Sequence, residues 1–247
     1  MFYYFGRKGR AAASYPAPDY PLVIEPFAGS MGYTMHHRPA FAIGIERDER
    51  VVALWRRLCA MSPDEIRDFP APVLGERMTD RWHQVAEASS DAHYDHYRTA
   101  NEWLIRQFEL QRLLALKHHD YAVGSVLYRH GDYRDAPDVE ATWFIDPPYE
   151  GVQSGYRHKP DFEELAEWCM TRKGQIIICE GEHGSWLPFA DHSVSRGIAT
   201  RPQKALVEKV LTRRTHARCE SCAVTFPAAR ADARFCSGRC RMRASRR

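Results

Sequence analysis

Leu22-Val23-Ile24-Glu25-Pro26-Phe27-Ala28-Gly29-Ser30-Met31-Gly32 decides the fold. A short β-branched run meets an acid, a proline and two glycines, and helix-like sequence follows. The next apolar run, Phe41–Ile45, ends in Gly44-Ile45-Glu46. Glycines at a strand-to-helix turn let a nucleotide approach the backbone, and an acid at the end of the second strand can bind both ribose hydroxyls. The turn therefore suits a nucleotide-like cofactor, although it lacks the three-glycine pattern of dinucleotide sites. Glu46 stands equally well as a helix-start acid before Val51.

Working outward, Trp143–Ile145 and Gln175–Cys179 repeat the pattern of short apolar runs closed by polar or turn-forming residues. This is expected of parallel strands covered on both faces. Val51–Cys59 and Phe162–Met170 read as intervening helices, which makes the chain an α/β layered protein. From Pro63 to His119 the character changes. Pro70 and Pro72 mark a loop, and Asp91 to Lys117 reads as one or two polar-faced helices rich in Arg, Tyr, Trp and His. The stretch is too long for a plain crossover, so it is read as an insertion that contacts substrate or, alternatively, as a bracket that only covers the sheet. The histidines His36, His37, His93, His96, His118, His119 and His130 show no metal-site spacing and are expected mostly on the surface or in loops.

At 247 residues there is room for one catalytic-size domain and a small appendage. Hydrophobic residues are 44% and charged residues 27%, ordinary for a globular protein, and no apolar run approaches the roughly 18 residues that span a bilayer. Residues 1–16 lack the order of a secretory signal, so the cytoplasm is the expected location. The net charge of +3 hides an asymmetry: residues 213–247 hold ten Arg and two acids, net +8, which leaves −5 for residues 1–212. A basic tail on an acidic body suits a polyanion partner, because Arg displaces condensed counterions from phosphates.

The sharpest stretch is Trp143-Phe144-Ile145-Asp146-Pro147-Pro148-Tyr149. Two consecutive prolines fix the backbone and remove two amide donors, leaving carbonyls free to accept. The Asp146 carboxylate and the Pro147 carbonyl can then take both N–H bonds of an exocyclic amine, while Tyr149 offers a ring on which an extracted base can stack.

With these residues in place the chain resembles the amino-group DNA methyltransferases that use S-adenosylmethionine, and more closely the Dam-like, D12-class adenine-N6 enzymes. The likeness covers roughly residues 2–212. It is carried by Tyr4-Phe5-Gly6-Arg7-Lys8-Gly9, the turn from Glu25 to Gly32, Glu46, Gly131-Asp132-Tyr133 and Asp146-Pro147-Pro148-Tyr149, in that order. The resemblance implies a Rossmann-like sheet that carries the helical insertion. It implies that Gly6, Lys8, Phe27, Gly29 and Gly32 hold the cofactor, that Glu46 binds its ribose and Asp132 its adenine, and that Asp146 to Tyr149 hold the flipped adenine, Asp146 also bordering the cofactor. Ser30-Met31 departs from the small residues common between the glycines, and the insertion matches no target-recognition segment, so the recognised DNA sequence is open.

Carbon methylation of cytosine needs a cysteine nucleophile, usually after a proline, and Cys59, Cys169 and Cys179 are not so placed. Asp at the head of the tetrapeptide favours adenine in the family pattern. A cytosine-N4 or RNA-adenine enzyme and a non-catalytic nucleic-acid-binding protein are the alternatives.

The tail reads Cys219-x2-Cys222-x13-Cys236-x3-Cys240. Two close pairs of thiolates satisfy tetrahedral zinc, and so short a segment cannot fold on buried surface alone. Residues 213–247 are expected to be a zinc-binding module whose Arg234, Arg239, Arg241, Arg243, Arg246 and Arg247 clamp DNA or, alternatively, form a solvated basic tail. The stretch from Phe226 to Ser237 resembles small zinc modules of phage and plasmid proteins.

Overall fold

The computed structural model describes residues 8, 11–69, 102–151, 158–194, 206–227 and 233–245. A mixed α/β body is built on seven strands: β1 (Leu22–Glu25), β2 (Phe41–Glu46), β3 (Val126–His130), β4 (Glu140–Ile145), β5 (Lys173–Glu180), β6 (Ala190–Val194) and β7 (Leu206–Arg214). Their order is β3-β2-β1-β4-β5-β7-β6. β1 to β5 pair in parallel, and β7 runs antiparallel to both β5 and β6. The mostly parallel sheet is what the apolar runs lead one to expect and is consistent with a Rossmann-like fold, with one reversed strand, β7, near an edge.

Continuous apolar runs form the central strands because both faces are covered. Val23, Phe144, Ile177 and Cys179 point to one side, where Tyr15, Tyr33 and Val210 pack. Ile24, Trp143, Ile145, Ile176 and Ile178 point to the other, against Leu165 and Cys169 of a helix at Phe162–Thr171. Neighbours along each strand alternate between these two cores, as strand geometry requires.

Among the described residues the other helices of the body are α1 (Gly32–His37), α2 (Glu49–Ala60), α3 (Pro63–Asp68) and α4 (Glu102–Ser125), so that Phe162–Thr171 is α5. Asp48 caps α2 by accepting from the Arg50 amide, and Ser62 with Glu65 forms a capping box on α3. α4 runs past His119 without a break and leads directly into β3. The expected end of the insertion therefore falls inside a helix, and α4 is the last leg of the crossover from β2 to β3.

The reason is burial. Ala115 packs with Met61 and Ile66, and Ala122 joins the core of α2. His118 and His119 are buried too, two exceptions among histidines expected mostly on the surface, where His36 and His130 do lie: His119 Nε2 donates to the Met61 carbonyl at 2.7 Å. Residues 70–101 of the expected insertion, including Pro70, Pro72, His93 and His96, lie outside the described residues.

β7 extends to Arg214, two residues beyond the expected limit of the body. The Thr215 amide then donates to the Gly174 carbonyl at 2.9 Å. Beyond it come a hairpin of β8 (His216–Arg218) and β9 (Thr225–Pro227) and a short helix, α6 (Gly238–Ala244). Among the described residues no helix is long and apolar enough to cross a membrane.

Candidate active site

The chain leaves β1 toward β2 on one side and later returns to β4 on the other, so the sheet has a switch point between β1 and β4. In open α/β sheets ligands bind outside the carboxyl ends of the strands at that point. The glycine turn after β1 and the Asp146 loop after β4 both lie there.

The turn is tightly fixed. Gly29 takes φ +45°, in the left-handed region that favours glycine. Its carbonyl accepts from Trp55 Nε1 at 2.8 Å and from the Tyr128 hydroxyl at 2.9 Å, and these two rings stack 4.6 Å apart. Its amide donates to Glu46 Oε2 at 2.9 Å. Met31, the departure noted in the sequence, also has positive φ (49°) and is fully buried. The conformation costs about 1–2 kcal/mol, which its place in the core with Leu54 and Trp55 offsets. Gly32 opens α1. Phe27 stacks on Tyr133 with centroids 5.5 Å apart.

Acids close four adjacent strands: Glu46 on β2, Glu25 on β1, Asp146 just after β4 and Glu180 on β5. Each is stabilised differently. Glu46 accepts from the amides of Gly29 and Asp48, both at 2.9 Å, and burial still raises its pKa. Glu25 accepts from the Thr34 amide at 2.8 Å, and burial pushes it up to about 8. Glu180 accepts from the amides of Glu150 (3.1 Å) and Gly181 (2.6 Å) and from the Trp186 indole, and burial raises it as well.

Asp146 has a cation. Lys8 Nζ lies 2.8 Å from Asp146 Oδ1, 2.5 Å from the Tyr149 hydroxyl and 3.7 Å from Glu208 Oε1. Lys8 is 5% exposed. Burial works against its charge, but Asp146 and Glu208 outweigh burial and hold the ammonium protonated. Burial raises the pKa of Asp146, and Lys8 opposes that rise. Tyr15 donates to Glu208 behind the lysine. Lys8, expected with the cofactor, is thus brought to the Asp-Pro-Pro-Tyr loop. Pro147 and Pro148 are buried, and Glu150 pins the loop twice: its amide donates to Glu180 at the end of β5 at 3.1 Å, and its carboxylate accepts from the Ser185 amide, beyond β5, at 2.8 Å.

Asp132 follows β3 and caps the turn at Tyr133–Asp135. It accepts from Arg134 Nη1 at 2.8 Å and faces Arg47 at 3.4 Å. It lines a cleft of about 580 Å³ with Arg47, Asp48, Arg50, His130 and His158, beside the carboxyl ends of β2 and β3. Gly6 lies outside the described residues.

Sequence reasoning missed Glu208, Tyr15, Glu180 and Gly181. Glu180 carried the same signal as Glu46, an acid ending a buried strand. Gly181 packs on the ring of Tyr149, and Glu208 reaches Lys8 only because β7 returns beside β5.

In the tail, the sulfurs of Cys219, Cys222, Cys236 and Cys240 all lie within 4.8 Å of one another. Cys222 and Cys236, and Cys236 and Cys240, have Sγ atoms 3.6 Å apart. Four sulfurs about 2.3 Å from a tetrahedral ion stand roughly 3.8 Å from each other, so this cluster could hold a metal ion. Cys219 is buried; burial opposes ionisation, but amides of Cys236, Cys222 and Ser221 bring its thiol down to about 6. All seven cysteines are free of disulfides.

The tail arginines divide. Arg214 pairs with Asp19 at 2.5 Å, Arg213 donates to the Met170 carbonyl at 2.7 Å, and Arg234 pairs with Glu220 at 2.6 Å. Arg239, Arg241 and Arg243 stand exposed on α6. No protein-family model matches the chain, and no curated protein matches it.

Proposed function

We propose that the protein transfers a methyl group from S-adenosylmethionine to the N6 amino group of adenine in DNA. The observation that carries this reading is Asp146, at the carboxyl end of β4 and beside Tyr149, across the switch point from the glycine turn. A cleft of about 580 Å³, within the range of small-molecule sites, supports a cofactor beside the strand that ends in Glu46, and of the residues expected to hold that cofactor Asp132 lines it. Glu46 would hold the ribose, Asp132 the adenine, and the Gly29 turn the approach of the chain backbone. When bound, the cofactor would supply a methyl on a sulfonium: the amine lone pair would form the nitrogen–carbon bond, the carbon–sulfur pair would stay on sulfur, and one nitrogen proton would pass to solvent.

Asp146 accepts an N–H of the target amine and keeps its lone pair aimed at the methyl. Tyr149 presents a ring for the extracted base, and the buried prolines hold the loop in register. The protein supplies alignment and a polarising pocket without a covalent intermediate. We further read the ion of the four cysteines as zinc, since a set of thiolates suits it, and the α6 arginines as contacts to DNA phosphates. Incubation with mixed-sequence DNA and methyl-labelled cofactor, followed by digestion to nucleosides, tests the reading. Label in N6-methyldeoxyadenosine is expected; label in N4-methyldeoxycytidine, in RNA only, or nowhere overturns it.

A further inference from the structure

The adenine reading leaves Lys8 and Glu208 without a role, yet both are built into the site. A lysine this buried needs countercharge, and it has two carboxylates, Asp146 at 2.8 Å and Glu208 at 3.7 Å. The count of charges matters. Lys8 alone would cancel the Asp146 carboxylate, whereas Lys8 with Glu208 and Asp146 together leaves one net negative charge. Positive charge that moves from sulfur to the amine nitrogen then meets a negative site and not a neutral pair.

Geometry also separates Lys8 from the stacking surface. Its Nζ is 2.5 Å from the Tyr149 hydroxyl and 4.7 Å from the ring centroid, so it sits at the hydroxyl end. A carboxylate has about four acceptor positions, so the bond from Lys8 leaves capacity on Asp146 for an amine.

We infer that Lys8 and Glu208 are positioning residues for the methyl-accepting site: Lys8 ties the Asp146 carboxylate to the Tyr149 hydroxyl, and Glu208, held by Tyr15, keeps the ammonium in place and the site negative. The inference rests on the methyltransferase reading of Asp146. The groups that face Asp146 are Lys8, Tyr15, Glu25 on β1, Tyr149, Cys179 on β5 and Glu208 on β7. Of these, Lys8 favours the ionised carboxylate, and Glu208 opposes it. Removing one or the other must therefore move Asp146 in opposite directions.

The test uses the full chain as Lys8→Met, which keeps volume and removes charge, and as Glu208→Gln. Three readouts are taken: carboxyl-carbon NMR titration of Asp146 in cofactor-free protein, assigned with Asp146→Asn; single-turnover methylation against pH; and calorimetric affinity for the cofactor. Lys8→Met should move the Asp146 midpoint and the acid limb of the rate to higher pH and slow transfer about 100-fold. Glu208→Gln should move both to lower pH. Both should bind the cofactor within about threefold of the parent, as expected if the pair acts on the accepting site.

An Asp146 midpoint that moves in neither variant overturns the inference. So does a Lys8→Met protein that methylates normally at saturating cofactor but binds it more than about tenfold worse, which returns Lys8 to the cofactor. If Lys8→Met does not fold, the downward shift in Glu208→Gln decides. A parent protein that transfers no methyl while Asp146 still shifts overturns the methyltransferase reading instead, and the two failures are told apart.

Discussion

The ring of Tyr149 packs against Gly181 so closely that a methyl group on the glycine would stand 2.9 Å from Cδ2 and 3.4 Å from Cγ. Those atoms belong to the root and edge of the ring and not to a flexible tip, so the ring must move if the glycine gains a side chain. Gly181→Ala is expected to leave the protein folded and to slow methylation about 10- to 100-fold, since a displacement near 1 Å in a positioning group has effects of that order. Single-turnover rates at saturating cofactor, beside a melting curve, check this. A normal rate would mean that Tyr149 does not hold the base.

Glu46 and Asp132 should differ in what their loss does. Glu46→Ala strips the acceptor from two amides, Gly29 and Asp48, so it should lower both stability and cofactor affinity by about 1–3 kcal/mol. Asp132→Ala removes a cap from a short turn and should cost affinity by a similar amount, with a stability loss of about 0.5–2 kcal/mol. Calorimetry and thermal melting separate the two. Unchanged affinity in both variants would mean that the cofactor lies elsewhere.

Glu25 gives stability a pH dependence of definite sign. Burial raises its pKa to about 8 in the folded state, above the ordinary carboxylate value of 4.5. Between these values the folded chain keeps a proton that the unfolded chain has lost, so this group makes stability fall as pH rises from about 4.5 to 8. Glu25→Gln mimics the protonated acid and can still accept from the Thr34 amide. Its melting temperature should gain on the parent between pH 5 and pH 8, and a constant difference across that range would contradict the burial of an ionisable Glu25.

How much of this is legible in the sequence depends on where each strand sits. β1, β2, β4 and β5 stand out because both faces are covered and their residues are continuously apolar. β3 is an edge strand with Leu127 54% exposed, and β7 interrupts its apolar residues with Glu208 and Lys209, so neither carries an unbroken apolar signal. Asp146 and the Gly29 turn are local patterns and can be read from spacing. Glu208 reaching Lys8 depends on the reversed course of β7 between β5 and β6, which no spacing reports. Glu25 and Glu180 did carry a signal, an acid ending a buried strand. It is ambiguous because the same residue type also begins helices.

β7 ends at Arg214, inside the span that reads as the basic tail. Truncation after Thr215 keeps the whole strand and its two arginines, and removes eight of the ten tail arginines. The truncated protein should fold and bind the cofactor, but bind DNA more weakly and with a shallower salt dependence, each lost phosphate contact lowering the log–log slope by about 0.9. Metal analysis should find one zinc per full-length chain, and Cys236→Ser should lose it. A truncated protein with the same DNA affinity at every salt concentration would assign the module to a protein partner.

The central claim is that the Asp146 carboxylate engages the target amine during transfer. The direct measurement is the single-turnover rate of Asp146→Ala on DNA beside its calorimetric affinity for the cofactor. An interaction made with the reacting amine should appear in the rate and not in ground-state cofactor binding. The account predicts transfer slowed more than about 100-fold with cofactor affinity within about threefold of the parent. Transfer within about tenfold of the parent would contradict it.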